Sequence, residues 1–160
     1  MSKDNKWQVV ADGLEQNRDS LYRVAYSYMN EPQAAMDVVQ ECAYKALKSC
    51  ESVHEDSVRP WLFRILVNTA LDALRHRKWE TPVEIMPETP NEDTHEASEL
   101  MDTLHILDEK SRTLIILHYF EDMKLVDIAK MYGENLNTIK SRQRRALQAL
   151  RIELKGAPSL

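Results

Sequence analysis

Apolar residues recur at helical rather than alternating spacing along most of this chain, and the interruptions of that rhythm divide it into separate helices. Leu14, Leu21, Val24, Ala25 and Tyr28 predict a first helix over about residues 7–29. Asn30-Glu31-Pro32 breaks it and opens the next, since proline is tolerated in a first helical turn. The second helix, residues 32–48, carries Met36, Val39, Ala43, Ala46 and Leu47 on one stripe and Asp37, Gln40, Glu41 and Lys45 on the other. A polar loop, residues 49–57, leads into a third helix over residues 58–78 that begins Trp61-Leu62-Phe63-Arg64-Ile65-Leu66-Val67. A run with one charge in seven has no single buried face, so this helix is either central to a bundle or holds aromatics for a partner. It closes on Arg75-His76-Arg77-Lys78, cations that suit the C-terminal end of a helix dipole.

Further along, Leu100, Leu104 and Leu107 predict a helix, and Leu114, Ile115, Leu117 and His118 another. A short helix over residues 125–132, a turn at Gly133-Glu134-Asn135 and a long basic helix over residues 136–154 follow. Short helix, glycine in a tight turn and longer basic helix form the helix-turn-helix pattern. With three glycines and few alternating β-branched runs, the chain reads as all-α. It has no internal repeat of solenoid length.

A chain of 160 residues holds one modest core or two small ones, and two require a visible break. Glu80, Glu84, Glu88, Glu92, Asp93, Glu96 and Glu99, with Pro82, Pro87 and Pro90 and no Lys or Arg among them, supply it: the stretch reads as a solvated linker. The expected organisation is therefore two small helical domains, residues 1–80 and 100–160, joined by an acidic flexible linker over residues 81–99. The net charge of −5 argues at first against nucleic acid. Its distribution reverses that: residues 1–80 carry 11 basic and 12 acidic side chains, residues 81–100 carry 0 and 6, and residues 101–160 carry 10 and 8. Lys140, Arg142, Arg144, Arg145, Arg151 and Lys155 face only Glu153 within residues 136–155, a local cationic helix suited to phosphates.

Other chemistry is sparse. Cys42 and Cys50 have no CxxC or histidine partner at zinc spacing and read as reduced, buried small hydrophobes, so no metal site is expected. His54, His76, His95, His105 and His118 are scattered, and His118 is expected to pack beside neighbouring helices. The absence of an HExxH, a glycine-rich phosphate loop or a nucleophile elbow argues against an enzyme, a cofactor or a small-molecule substrate. No apolar run approaches a membrane span and the start MSKDNKWQ is too polar for a signal peptide, so a cytoplasmic protein is expected.

Projected at 100° per residue, the last helix puts Ile139, Ala146, Leu147, Leu150 and Leu154 on one side and Asn137, Ser141, Arg145 and Gln148 on the other, flanked by Lys140, Arg144 and Arg151. Short polar and arginine side chains toward a groove floor, with cations beside them, are what base-edge reading requires. The segment Asp127-Ile128-Ala129…Gly133…Thr138-Ile139-Lys140-Ser141-Arg142…Arg145-Ala146-Leu147…Leu150-Arg151 resembles the minus-35 reading domain of extracytoplasmic-function RNA polymerase sigma factors, group 4 of the sigma-70 family. Asp37-Val38-Val39-Gln40-Glu41…Lys45-Ala46-Leu47 resembles their core-binding helix, and Trp61-Leu62-Phe63-Arg64-Ile65…Asn68…Ala70-Leu71-Asp72…Leu74-Arg75…Arg77-Lys78 their minus-10 reading helix. The three motifs span about residues 14–155 in the family's order.

The resemblance implies a sigma region 2 bundle and a sigma region 4 helix-turn-helix in a factor that directs promoter-specific initiation, in a stress or envelope-signal response. It implies that Asp37, Gln40 and Glu41 dock on the clamp helices of the polymerase largest subunit, with a further contact of the chain on the flap. It assigns Arg64, Asn68, Arg75, Arg77 and Lys78 to the minus-10 element, and Asn137, Thr138, Lys140, Ser141, Arg142, Arg144, Arg145 and Gln148 to the minus-35 element. Trp61 and Phe63 are expected in the core rather than stacked on bases. The linker would run through the polymerase interior. An anti-sigma factor, membrane-anchored in many relatives, is an implied partner. Gln143 stands where the family has an apolar residue, so either the helix rotates or the amide has a buried partner; Lys124 replaces the usual Ser or Thr cap, weakening it. The alternative is a stand-alone helix-turn-helix regulator whose N-terminal bundle dimerises on a palindrome.

Overall fold

The computed structural model describes residues 2–80 and 103–154, and the side chains of residues 2–77 and 103–151. Its Cα packing separates into an N-terminal and a C-terminal unit. Helices and two 3-10 turns make up the first and helices and a π turn the second, with no strand among the described residues, as the all-α expectation requires. The expected linker over 81–99, Leu100 and Lys155 lie outside the described residues.

The first expected helix is two: α1 (Lys3–Gln16) and α2 (Arg18–Met29). Asn17 divides them, because its side chain competes for a helix carbonyl: Nδ2 donates to the Gly13 carbonyl at 2.8 Å while the backbone N–H donates to the same oxygen at 3.0 Å. Asn17 Oδ1 accepts from Arg59 Nε at 3.0 Å, tying the break to α4 (Val58–Glu80). α1 begins at Ser2, whose Oγ accepts from the Asn5 N–H. It approaches α4 so closely at Gly13 that a Cβ there would stand 2.6 Å from Val58 Cγ1. α2 ends on Asn30 in the left-handed region, φ 58°, one of the few non-glycine residues that tolerates it. The expected start of the next helix is observed: α3 (Pro32–Lys48) has proline in its first turn and Glu31 accepting from the Gln33 and Ala34 N–H groups.

The expected apolar stripe of α3 is rotated. Ala35, Val38, Cys42 and Ala46 are buried, whereas Met36 is 44% exposed and Val39, Ala43 and Leu47 are only half-buried. Small residues let α3 approach α2 and α4 closely, and packing geometry overrides the larger apolar surface of Met36. α4 answers the question its apolar start posed: Leu62, Phe63, Leu66, Val67 and Ala70 are buried, and the helix packs on α1, α2 and α3 at once. Phe63 is core, with the Arg59 guanidinium 5.2 Å over its ring. Cys42 and Cys50 are buried free thiols, and burial pushes Cys42 up to about 12.

In the C-terminal unit Thr103 and Leu104 are helical and give way to a turn, with Leu104 and Leu107 buried. α5 (Glu109–Ile115) starts from Asp108, whose side chain accepts from the Ser111 N–H. A hydrogen bond from the Ser111 side chain, with the backbone bond beside it, holds the Asp108 carboxyl below its ordinary value. The helix expected around 114–118 thus starts earlier, and at Ile116–Phe120 it widens into a π turn. There His118 Nδ1 donates to the Met123 carbonyl at 2.8 Å and its ring meets Tyr119 edge-on, the packed place expected of it. α6 (Leu125–Tyr132) receives no oxygen from Lys124's side chain type, but the Lys124 carbonyl accepts from the Asp127 and Ile128 N–H groups. Gly133, φ 65°, closes α6 in the left-handed conformation, and α7 (Leu136–Leu154) completes the unit.

Candidate nucleic-acid interface

α7 is started by Asn135, whose Oδ1 accepts from the Asn137 N–H at 2.7 Å while its carbonyl accepts from Ile139. Ile139 and Ala146 are buried and α7 packs mainly on α5. The opposite side is open: Asn137, Thr138, Lys140, Arg144, Arg145, Gln148 and Arg151 are exposed and Ser141 is half-buried. Leu147, expected in the core, is 41% exposed beside the Lys140 and Arg151 flank. It lies about 90° from the line midway between the buried Ile139 and Ala146, off the side that packs on α5.

Two side chains of α7 turn back into the unit. Gln143 Nε2 donates to the Tyr119 hydroxyl at 2.9 Å, so the amide is satisfied from the π turn on a half-buried flank. Arg142, expected among the DNA contacts, is not brought together with them. Its guanidinium meets Glu134 at 2.8 and 3.4 Å and its side chain is 13% exposed. Glu134 accepts from Lys110 as well, and the Arg142 bond, ahead of the Lys110 bond, holds its carboxyl below the ordinary range. No sequence rule isolates this pair: the two are eight residues apart across a turn.

On α4, Trp61, Arg64, Asn68 and Arg75 fall within about 60° of one another at 100° per residue. Arg64, Asn68 and Arg75 are exposed and Trp61 is half-buried, so an aromatic edge lies beside the polar face. Arg75 pairs with Asp72 at 3.2 Å, an exposed contact worth little that leaves the cation available. Arg77 reaches back to the Met29 carbonyl at 3.5 Å. The Lys78 side chain lies outside the described residues.

On α3, Asp37, Gln40 and Glu41 are exposed on one face, as expected. The rotation of the buried stripe adds Met36 and Tyr44, the latter 61% exposed, to the same face. Sequence reasoning assigned Met36 to the core; its spacing from Asp37 and Gln40 was the signal available. Among the described residues no group of His, Cys, Asp and Glu is placed to hold a metal ion, and no helix is long and apolar enough to cross a membrane.

Two family models match the chain: Sigma-70 region 2 over residues 14–80 and Sigma-70, region 4 over residues 103–151. The RNA polymerase sigma factor SigV of Bacillus subtilis is 38% identical over 147 residues, covering 88% of each chain. The ECF RNA polymerase sigma-E factor of Haemophilus influenzae is 35% identical over 134 residues, 71% of each. Among solved structures, the sigma factor RpoE in complex with the anti-sigma factor NepR from Bartonella quintana aligns with TM-score 0.73 and 27% identity, covering 99% of this chain and all of that one.

Proposed function

Because the chain belongs to the extracytoplasmic-function group of the sigma-70 family, we infer that it binds core RNA polymerase and directs initiation at promoters whose minus-10 and minus-35 elements it reads. The observation that carries this reading is the presence, in one chain, of two different open polar helix faces in two units. A regulator acting through a palindrome uses two copies of one such face.

Residues 1–80 act as region 2 and residues 100–160 as region 4, with 81–99 the connector between them. The α3 face of Met36, Asp37, Gln40, Glu41 and Tyr44 docks on the clamp helices, its two apolar side chains supplying the buried centre and the carboxylates the specificity. Region 4 makes a second contact on the flap. Asn68 reads an unstacked base of the melted minus-10 element, Trp61 offers its open edge for stacking, and Arg64, Arg75, Arg77 and Lys78 hold the strand. α7 enters the minus-35 major groove with Asn137, Ser141, Arg145 and Gln148 toward base edges and Thr138, Lys140 and Arg144 beside phosphates. An anti-sigma factor, the kind of partner bound to the Bartonella relative, holds the chain when transcription is off. The protein performs no bond chemistry of its own and works in the cytoplasm with the polymerase.

In vitro transcription with purified core polymerase tests this. The chain should confer initiation at defined start sites that core enzyme alone lacks, with protection of both promoter elements. Binding of a palindromic duplex by a dimer, without any change in core polymerase activity, would overturn it in favour of the stand-alone regulator.

A further inference from the structure

Five arginines and lysines project from α7, and they are not equivalent. Lys140, Arg144, Arg145 and Arg151 are exposed, whereas Arg142 forks onto Glu134, Nη2 to Oε2 at 2.8 Å and Nη1 to Oε1 at 3.4 Å, with both side chains largely covered. Glu134 in turn is held from three sides. Its backbone N–H donates to the Ala129 carbonyl at 2.9 Å, the six-to-one bond of a Schellman cap with Gly133 at the left-handed position. Its carboxylate accepts from Lys110 of α5 at 3.2 Å and from Arg142 of α7. One turn residue thus joins α5, α6 and α7.

We propose that Glu134 withholds Arg142 from DNA and uses it to set the seating of the recognition helix, so that Arg142 is a positioning residue and not a phosphate contact. This rests on the reading of α7 as the minus-35 helix. A guanidinium already neutralised by a forked carboxylate displaces no counterion from the duplex, because moving it to a phosphate exposes Glu134 to the same phosphate. On the helix circumference Arg142 lies about 140° from Asn137, the middle of the open face, and only about 40° from the buried Ala146. A bidentate fork fixes orientation as well as distance, which a single lysine contact does not. The helix-turn-helix is too small for its core to set the angle of α7 alone: Ile139 and Ala146 are its fully buried anchors among the described residues of α7.

The salt dependence of binding counts phosphate contacts and separates the alternatives. The full chain, reconstituted with core polymerase, is titrated onto a promoter duplex selected from a randomised pool, across a range of salt concentrations. Lys140→Ala should make the slope of log K against log salt shallower by about 0.9. The double variant Glu134→Gln/Arg142→Gln removes both charges together and keeps two amides able to bond, and its slope should equal that of the wild type. Glu134→Gln alone releases Arg142, and since the double variant frees Lys110 of its bond to Glu134 equally, the single variant's slope should be steeper than the double's by about 0.9, a gain that a merely structural role would not produce. A double variant as shallow as Lys140→Ala, or no steepening in Glu134→Gln relative to the double, would overturn the proposal. Slopes that stay unchanged in Lys140→Ala and Arg144→Ala would instead overturn the assignment of α7 to the groove.

Discussion

Replacing Gly13 with alanine sets two effects of opposite sign against each other, and the structure decides between them. Alanine is better than glycine in a helix interior by about 1 kcal/mol, and Gly13 lies inside α1. The added Cβ, however, would stand 2.6 Å from Val58 Cγ1 and 3.2 Å from Leu62 Cδ1. Val58 is β-branched and stiff at χ1 within α4, and Leu62 is fully buried, so neither swings aside. α1 must move off α4 instead, breaking the Asn17–Arg59 bond at 3.0 Å as it goes. Overpacking of this kind costs about 1–3 kcal/mol, so the net change should be destabilising by about 1 kcal/mol, equivalent to a fall of about 4–8 °C in melting temperature for a unit of this size. Trp7, Trp61 and Trp79 all fall in residues 1–80, so tryptophan fluorescence during thermal or urea unfolding of the full chain reports this unit alone. Adding Val58→Ala should recover part of the loss, a positive coupling in a double-mutant cycle. A higher midpoint in Gly13→Ala than in wild type would refute the tight approach of α1 to α4.

Charge reversal at Asp37 and Glu41 should weaken association with core polymerase in a binding titration while shifting stability by no more than about 0.5 kcal/mol, since both are exposed. Tyr44→Ala should weaken the same association although it removes no charge. Arg145→Ala should relax discrimination at one or two minus-35 positions by about 1–3 kcal/mol, whereas Asn68→Ala should leave minus-35 preference intact and impair opening of the minus-10 element. Promoter selection with reconstituted polymerase reads both, and a uniform loss across all minus-35 sequences in Arg145→Ala would count against a base contact. Glu134 has its carboxyl depressed in the folded unit, so its stabilisation is complete above the unfolded value of about 4.3 and is lost as pH falls through the lower folded one. The difference in C-terminal stability between wild type and Glu134→Gln, followed by hydrogen exchange in α7, should accordingly be constant near neutrality and shrink only in acid.

Most of the helices, the helix-turn-helix and the two polar faces are legible without coordinates. Proline, glycine and asparagine mark element ends through local backbone preference, and Asn68 or Arg145 reach solvent because helical spacing alone puts them opposite the apolar stripe. Cys42 and Phe63 follow from the same logic, as small or aromatic residues inside an apolar run.

What the linear pattern leaves open is which of several apolar residues faces the partner helix. Met36 and Val38 are both apolar and two residues apart, and only the close approach of α2 and α4 selects Val38 for the core and leaves Met36 exposed beside Asp37. Leu147 is exposed because it lies off the line of Ile139 and Ala146 that faces α5, and which line faces a neighbour is set by the neighbouring elements and not by the helix's own residues. The break at Asn17, the Tyr119 partner of Gln143 and the Glu134 clamp on Arg142 share that origin. Local sequence determined where helices form and which way their polar faces point, because those depend on neighbours within one or two turns. Tertiary structure decided which cations of α7 stay exposed and which is paired, because a side chain's partner is set by what the fold brings beside it.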